Sequence, residues 1–389
     1  MEIVKLKTYI QSANVNFLFG SGLSKPYLET LGDIEKRLTE LSASGIDDDV
    51  CNIIKASIYK EYFTKVILPN FNPDERDADY KSVIDNYRSF LSLWNDIFNK
   101  RHSRLLSKQL NIYTTNIDTL VENAAEETTV EFNDGFKGSI NQIFDEGNFQ
   151  KSYSKTSLHF QNVSELPVFN LLKMHGSINW VEKENTIYND YSLQLVKVIS
   201  EKLNEIGREH FVAFEEFATM KANAVTLQTS NPKTDYPSIY KDFFEIYDKL
   251  IIVNPTKRKF SETVMDIHFY ELMRLYSNSL EKEQSILFVM GFSFADEHIR
   301  KITLRAANTN PTLLVVVFAY DDDQKFEFEN NICNNNVFVL TPSKFKERNK
   351  ADEKETTKEL LKSLEHFNMG TINKVFSLIN NDISINYGK

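Results

Sequence analysis

Short apolar runs alternate with longer amphipathic stretches along this chain of 389 residues. A run of about four to eight apolar residues is typical of a buried strand, whereas apolar side chains three and four positions apart are typical of a helix. The runs that predict strands are 15–19, 111–118, 130–132, 166–174, 250–253, 286–290, 313–318 and 337–340. Strands that alternate with helices build a parallel sheet covered on both faces. We therefore predict an α/β protein with a Rossmann-like sheet of about six strands.

Two stretches contain more helix-forming sequence than a single connection between neighbouring strands needs. Residues 26–108 carry apolar side chains at helical spacing, with Phe90, Trp94 and Ile97 on one face. Residues 181–249 carry a second stripe of this kind. We predict that these two insertions together form a helical module.

The last part of the chain has a different composition. From residue 346 it is at first strongly charged and then amphipathic. We predict one main domain over residues 1–345, which holds the sheet and both insertions, and a charged, helical C-terminal segment over residues 346–389.

The balance of charges limits the kinds of partner that the chain can bind. It has 45 Lys and Arg residues against 55 Asp and Glu residues, which gives a net charge of −10. An acidic chain is poorly suited to coat nucleic acid or to lie on an anionic membrane, so we expect no direct binding of either. The apolar runs are also far too short to span a bilayer.

The cysteines and the N-terminal sequence bear on location and on metal binding. With only Cys51 and Cys333, the chain cannot supply the four ligands of a cysteine zinc ribbon, and it has no disulfide framework. The segment from Met1 to Lys5 lacks the charged and then apolar pattern of a signal peptide. We expect a cytoplasmic protein with no zinc ribbon and no other metal site.

Polar motifs follow four of the predicted strands, at the point where each strand ends. The motifs are Gly20-Ser21-Gly22, Thr115-Asn116-Ile117-Asp118, His175-Gly176 and Gly291-Phe292-Ser293. Ligands of parallel sheets bind beyond the carboxyl ends of the strands, near the point where the strand order reverses. The shared placement of these motifs therefore predicts a single site.

The first motif is typical of a loop that binds a phosphate. Glycines let the backbone turn tightly and approach a phosphate, and the helix that follows presents its N-terminal N–H groups to the anion. Lys25 stands where the common dinucleotide fingerprint has its third glycine, so the fingerprint is incomplete. The alternative interpretation is a tight turn in a buried α/β unit.

At these residues the chain resembles the sirtuin family. Gly20-Ser21-Gly22-Leu23-Ser24 is similar to the family's Gly-Ala-Gly-Ile-Ser loop, and Thr115-Asn116-Ile117-Asp118 is similar to its Thr-Gln-Asn-Ile-Asp element, with Thr115 in place of Gln. His175-Gly176 is similar to the catalytic His-Gly, and Gly291-Phe292-Ser293 to Gly-Thr-Ser. The four motifs occur in the family's order and extend from residue 14 to about residue 320.

Two features of the sirtuin deacetylases are missing. The chain cannot build their four-cysteine zinc module, and Lys25-Pro26-Tyr27-Leu28 stands where they have Pro-Asp-Phe-Arg. The pattern is therefore closer to the bacterial sirtuin-like proteins of antiphage defence, which cleave NAD. The length, the helical insertions and the absence of a fused effector domain resemble the sirtuin-like partner of a HerA-type ATPase.

The chemistry of NAD cleavage suits the residues that carry this resemblance. Positive charge develops on the ribose as nicotinamide leaves, and Asn116 can bond the ribose hydroxyls or the attacking water. Asp118 can accept a hydrogen bond from the nicotinamide amide, and His175 can take a proton from water or from a ribose hydroxyl. Ser293 and the glycine loop would donate to the adenosine ribose and the pyrophosphate. The remaining nucleotide contacts that the resemblance implies are Gly20, Ser21, Gly22, Ser24, Thr115 and Gly291.

Structural interpretations compete with these roles. Asn116 and Asp118 both precede a predicted helix and can cap it. Asp296 opens a further helical stretch, where a cap is the favoured interpretation, and His298 is favoured as a residue of a helix face. An arbitrary histidine is usually a packed or surface residue, and this is the alternative for His175.

We therefore expect an NAD hydrolase that releases nicotinamide and ADP-ribose and acts in defence by depleting NAD. The alternatives are an NAD-dependent protein deacylase or ADP-ribosyltransferase, and a non-catalytic subunit that senses NAD or ADP-ribose and regulates a partner ATPase. Surplus amphipathic helix usually packs on another protein surface. We accordingly expect a homo-oligomer, with a HerA-type hexameric ATPase as the partner.

Overall fold

The centre of the protein is a seven-stranded sheet in which every strand is parallel to its neighbours. The computed structural model describes residues 1–30, 32–101, 106–253 and 267–385. In chain order the strands are β1 (Asn14–Phe19), β2 (Gln109–Thr114), β3 (Glu131–Asn133), β4 (Phe136–Lys137), β5 (Ile143–Phe144), β6 (Ser154–Thr156), β7 (Val163–Glu165), β8 (Val168–Lys173), β9 (Trp180–Lys183), β10 (Thr186–Asn189), β11 (Ser285–Met290), β12 (Leu314–Phe318) and β13 (Val337–Leu340). The order in the central sheet is β13-β12-β11-β1-β2-β8-β3. The predicted α/β fold with a Rossmann-like parallel sheet is confirmed.

Seven of the eight predicted runs are the strands of this sheet. The exception is 250–253, which is not a strand of the sheet and, within the described residues, makes a single antiparallel bridge, between Ile252 and Gly176. Its backbone bonds to the turn after β8 instead, where Ser177 N donates to the Ile251 carbonyl. The prediction of a sheet strand at 250–253 is therefore wrong, because the periodicity of so short a run does not reveal its partner.

Helices cover both faces of the sheet. In the described part of the chain the α-helices are α1 (Ile3–Ser12), α2 (Gly32–Ala43), α3 (Asp48–Tyr62), α4 (Ala78–Asn99), α5 (Leu120–Glu126), α6 (Gln194–Ile206), α7 (Phe217–Ser230), α8 (Tyr236–Tyr247), α9 (Ile267–Glu281), α10 (Glu297–Thr309), α11 (Lys325–Asn331), α12 (Pro342–Asn349), α13 (Glu355–Ser363) and α14 (Met369–Ile385). Among these, no helix has both the length and the apolar character that crossing a membrane requires.

The side chains of the central strands alternate between two cores. Phe17 and Phe19 of β1 pack with α1, α4 and α14, whereas Leu18 lies in the core on the opposite face, with α9 and α10. The Phe17 ring meets the rings of Phe90 and Trp94 at centroid distances of 4.9 and 5.0 Å. Because both faces of these strands are buried, their sequences are continuous apolar runs.

The two insertions contribute to a third core away from the sheet. Helices α2 and α3 of the first insertion pack with α6, α7 and α8 of the second, around buried residues such as Ile54, Tyr59 and Phe243. Helix α4 lies in the first insertion but packs on the sheet with α5 and α14. The helical faces that suggested surplus surface are therefore largely buried against one another.

The C-terminal segment is continuous with the main core. Ile372, Val375, Phe376 and Ile379 of α14 are fully buried and belong to the same core as Phe17. The charged part of the segment forms the end of α12 and the whole of α13, and both helices precede α14 in the chain. Residues 346–385 thus pack as one more layer on the sheet.

A small antiparallel sheet has the order β4-β5-β10-β9, and its strands β9 and β10 replace the first part of the helical stretch predicted for 181–249. Strands β9 and β10 are joined by Glu184 and Asn185, which have positive φ angles of 52° and 58°. Two consecutive residues of this conformation form the hairpin turn whose twist matches that of its strands. The sequence lacks the usual glycine at this turn, which is why a helix was predicted here.

Four asparagines form a ladder of side-chain hydrogen bonds across β3, β8, β2 and β1. Asn133 Nδ2 donates to Asn170 Oδ1 at 2.9 Å, Asn170 to Asn111 at 2.9 Å, and Asn111 to Asn16 at 3.0 Å. All four occupy directly paired positions of neighbouring strands. Because Asn16 and Asn170 are almost completely buried, their side-chain oxygens depend on the hydrogen bonds from Asn111 and Asn133, respectively.

Replacing Asn133 with alanine is expected to lower the free energy of unfolding by about 1–3 kcal/mol, because the buried Oδ1 of Asn170 loses its donor. Urea denaturation monitored by circular dichroism measures this change. Asn231→Ala, at an exposed helix end, is the matched control and should change stability much less. Equal stability of Asn133→Ala and the wild type would show that the ladder is dispensable.

Candidate functional site

The four polar motifs lie at the carboxyl ends of β1, β2, β8 and β11, which are four consecutive strands of the sheet. The strand order reverses between β1 and β11, because the chain moves from β1 outward to β2 and later returns to the other side of β1. The position at which open α/β sheets bind their ligands is thus surrounded by the motifs.

The glycine loop after β1 packs directly on the loop after β11. A side chain at Gly20 would place its Cβ only 2.4 Å from the Gly291 carbonyl oxygen, and one at Gly22 would lie 3.0 Å from the same atom. In return, Gly22 N donates to the Gly291 carbonyl at 3.0 Å. Gly291 itself has a φ of +63°, and a Cβ there would lie 2.7 Å from Leu23 N.

One expectation about this loop is corrected, because no α-helix follows the glycines directly. Neither Gly20 nor Gly22 has a positive φ angle, and the space beside them is filled by the backbone of the β11 loop. The residues after Gly20 form a short 3₁₀ helix, Ser21–Ser24, and the α-helix α2 begins only at Gly32. The glycines are required here for close contact between two loops, which a sequence motif cannot distinguish from close contact with a phosphate.

Asn116, Ser24 and Asp118 are joined in one buried network. Asn116 Nδ2 donates to the Gly20 carbonyl at 3.3 Å and to Ser24 Oγ at 3.2 Å. Ser24 Oγ in turn donates to Asp118 Oδ2 at 2.9 Å. The loops after β1 and β2 are thereby fixed to each other, as the prediction of a single site requires.

The amide oxygen of Asn116 is buried and has no hydrogen-bond partner among the described residues. The residue is only 8% exposed, and its Nδ2 is turned toward Gly20 and Ser24, so Oδ1 points away from both. A buried carbonyl oxygen without a donor is costly, and such groups in folded proteins normally receive a hydrogen bond. Asn116 therefore presents an acceptor to a hydroxyl, amide or water from outside the described chain.

Asp118 has a structural part in the site. Its Oδ2 accepts from Ser24, and its Oδ1 accepts from Leu120 N at the start of α5. Burial raises the pKa of the Asp118 carboxyl, whereas Lys173 and the bond from Ser24 act in the opposite direction. The capping interpretation accounts for one oxygen, and a contact with nicotinamide stays a prediction.

Ser21 and Thr115 are half-buried beside this network, and Ser293 is exposed. Ser293 Oγ accepts from Ala295 N at 3.4 Å, within its own loop. All three occupy the expected edge of the sheet, and their contact with a nucleotide stays a prediction.

His175 is held by the turn that follows β8. Its carbonyl accepts from Val253 N at 2.9 Å, and Gly176 has a φ of +74°. A Cβ at Gly176 would lie 2.0 Å from the Ile251 carbonyl oxygen, so only glycine fits between this turn and residues 250–253. The pairing of histidine with glycine in the sequence thus has a direct steric reason.

The ring of His175 meets a residue that the sequence indicated only as a helix cap. His175 Nε2 lies 3.1 Å from Asp296 Oδ2, and both side chains are about nine-tenths buried. Asp296 is also the cap of α10, because its Oδ1 accepts from His298 N and Ile299 N. No periodicity or motif predicts the contact with His175, since 121 positions of sequence separate the pair and only the sheet order brings them together.

A buried ion pair supports the site from behind. Lys173 Nζ, at the end of β8, donates to Glu122 Oε1 at 2.6 Å and to Ser177 Oγ at 2.7 Å, and it also bonds the Asp118 carbonyl. Both charged side chains are more than nine-tenths buried. Burial raises the pKa of Glu122, and the charge of Lys173 opposes that shift. A lysine within an apolar run was the signal of this pair in the sequence.

A cavity of about 1030 Å³ is lined by residues 250–252 together with residues of β9, β10, α6 and the end of α8. None of the motif residues lines it, so the position of the site rests on the strand ends and their hydrogen bonds. In the described part of the chain, no three His, Cys, Asp or Glu side chains are grouped to hold a metal ion.

No model of a known protein family matches the chain, and no curated protein sequence is significantly similar to it.

Proposed function

We propose that the protein hydrolyses NAD to nicotinamide and ADP-ribose at the carboxyl ends of β1, β2, β8 and β11. The unpaired, buried oxygen of Asn116 carries this proposal, because it offers a hydrogen-bond acceptor where a substrate hydroxyl or water would be bound. His175 supplies an imidazole at the same edge of the sheet, and the sirtuin-like order of the four motifs supplies the substrate class.

In the proposed reaction, a water molecule adds to C1′ of the ribose as the bond from C1′ to the nicotinamide nitrogen breaks. The electron pair of that bond stays on the nicotinamide nitrogen and neutralises its positive charge. Asn116 Oδ1 accepts from a ribose hydroxyl or from the attacking water, which holds the reacting atoms together. His175 takes the proton that the water loses.

The site residues other than Asn116 and His175 have mainly binding roles in this proposal. Ser21, Thr115 and Ser293, at the same edge of the sheet, would donate to the pyrophosphate or the adenosine ribose. Gly20, Gly22 and Gly291 keep the loops after β1 and β11 in contact, and Ser24 joins the loop after β1 to the loop after β2. Asp118 orients Ser24 and offers its remaining acceptor capacity to the nicotinamide amide.

The resemblance extends the proposal to a cytoplasmic antiphage-defence effector that depletes NAD in complex with a HerA-type hexameric ATPase. Self-association also belongs to this proposal. Its support is the resemblance alone, since the inserted helices bury their apolar faces in their own core. Light scattering of the purified chain, alone and with the ATPase, measures both associations.

Incubation of the purified protein with NAD tests the proposal, with nicotinamide and ADP-ribose followed by chromatography in the presence and absence of the ATPase. Equal amounts of the two products are expected. Transfer of ADP-ribose or of an acyl group to protein would indicate the transferase or deacylase alternative. Binding of NAD without any release of nicotinamide, with and without the ATPase, would instead identify a non-catalytic sensor.

A further inference from the structure

The contact between His175 and Asp296 joins two loops that are not neighbours in the sheet. β8 and β11 are separated by β1 and β2, so their ends are about 14 Å apart at the usual strand spacing. The loops after β8 and β11 must therefore extend over the ends of β1 and β2 to make this contact. The glycine loop and Asn116 lie at those ends. The pair consequently belongs to the proposed site, although sequence motifs reveal only one of its members.

The two oxygens of Asp296 have different partners. Oδ1 accepts from the two backbone N–H groups that open α10, which fixes the orientation of the carboxylate plane. Oδ2 is thereby presented to His175 Nε2 at 3.1 Å. Capping and orientation are thus combined in one side chain, since the cap determines where the second oxygen points.

We infer that Asp296 is a positioning residue for His175, holding the ring with a proton on Nε2 so that Nδ1 is the nitrogen that accepts the proton. This inference rests on the proposed NAD hydrolysis. A carboxylate oxygen 3.1 Å from a ring nitrogen repels a lone pair on that nitrogen and attracts an N–H. Among the described residues no hydrogen bond or ion pair engages Nδ1, and in this inference that nitrogen is assigned to the attacking water.

Transfer of the water proton to His175 Nδ1 completes the proposed reaction. The water oxygen forms its new bond to ribose C1′, and the electron pair of the broken bond stays on nicotinamide. The water proton passes to Nδ1, which makes the ring an imidazolium whose Nε2–H faces Asp296. The carboxylate stabilises this cation as it forms, so its effect is expected in the chemical step.

Two substitutions of Asp296 separate capping from positioning. Asp296→Asn keeps an acceptor for the helix N–H groups, since Asn and Asp cap equally well, but it removes the charge that faces His175. Asp296→Glu keeps the carboxylate and lengthens the side chain, which weakens the cap. Asp296→Asn should therefore be the more stable variant in urea denaturation. Asp296→Glu should be the variant that releases nicotinamide faster.

For Asp296→Asn we expect kcat for nicotinamide release to fall at least about tenfold, with KM changed less than about twofold. Asp77→Asn is the matched control, because Asp77 caps α4 in the same way at an exposed position away from the site. It should leave both constants unchanged. A kcat for Asp296→Asn equal to that of the wild type, or activity that follows stability across the variants, would overturn the inference.

Nuclear magnetic resonance of the full chain labelled with ¹⁵N-histidine tests the pair without reference to activity. Nitrogen shifts of neutral His175 should show the proton on Nε2 in the wild type, and Asp296→Asn should alter them. If the wild type releases no nicotinamide, the proposed hydrolysis fails, and these shifts alone decide the inference. A proton on Nδ1 in the wild type would overturn it.

Discussion

Replacement of His175 by alanine is expected to lower the rate of nicotinamide release from NAD by about 100-fold or more, the lower range for a positioned acid–base group. The affinity for NAD should change little, because the imidazole is proposed to act on the reacting water while the other loops hold the dinucleotide. The loss should therefore fall on kcat, the signature of an interaction made in the transition state. Kinetics together with calorimetric titration of a non-hydrolysable NAD analogue measure both quantities.

His159→Ala provides the matched control, since His159 is exposed in the loop that joins β6 and β7. It should leave the kinetics unchanged. Near-normal turnover of His175→Ala would show that the assigned base is wrong. Complete loss of binding would show instead that His175 anchors the substrate, which leaves its part in proton transfer without support.

Replacement of Lys173 by methionine is expected to lower the free energy of unfolding by about 3–5 kcal/mol near neutral pH. The substitution leaves the buried carboxylate of Glu122 without its cation, and it removes the donor to Ser177 and to the Asp118 carbonyl. Urea denaturation at a fixed protein concentration measures the change. A loss below 1 kcal/mol would indicate that water already solvates this pair.

The pH dependence of this variant has a definite sign. Burial already raises the pKa of Glu122, and the loss of Lys173 removes the charge that opposes the shift. A raised pKa favours the folded state at low pH, and this contribution is lost as pH rises through the folded pKa. The deficit of Lys173→Met should therefore be smaller at about pH 5 than at about pH 8. Lys173→Met combined with Glu122→Leu should recover most of the stability, because no charge then remains buried.

The strands of the central sheet could be predicted because each of them is marked by its own stretch of sequence. Strands buried on both faces must be apolar throughout, so β1, β11 and β12 are visible as runs without knowledge of their neighbours. The placement of Asn116 and His175 on one edge followed from the same logic, since parallel strands put their carboxyl ends together.

What escaped prediction depends on contacts between distant parts of the chain. The pairing of Asp296 with His175 and the packing of Gly20 on Gly291 both require knowledge of which strands are adjacent. The hairpin of β9 and β10 was missed for a different reason. Its turn uses Glu184 and Asn185 at positive φ, a conformation usually marked by glycine.

The asparagine ladder has a consequence for how this fold is assembled and how it tolerates change. Residues 20–108 lie between β1 and β2, and residues 115–167 lie between β2 and β8, so no short turn can align these strands. The amides align them instead, because a shift of one residue would turn each asparagine to the opposite face and leave its buried neighbours unpaired. Alignment set within the sheet leaves the connections free to grow, since longer loops cost little additional entropy. The helical insertion between β1 and β2 can thus be exchanged while the positions of Asn116 and His175 at the strand ends are preserved.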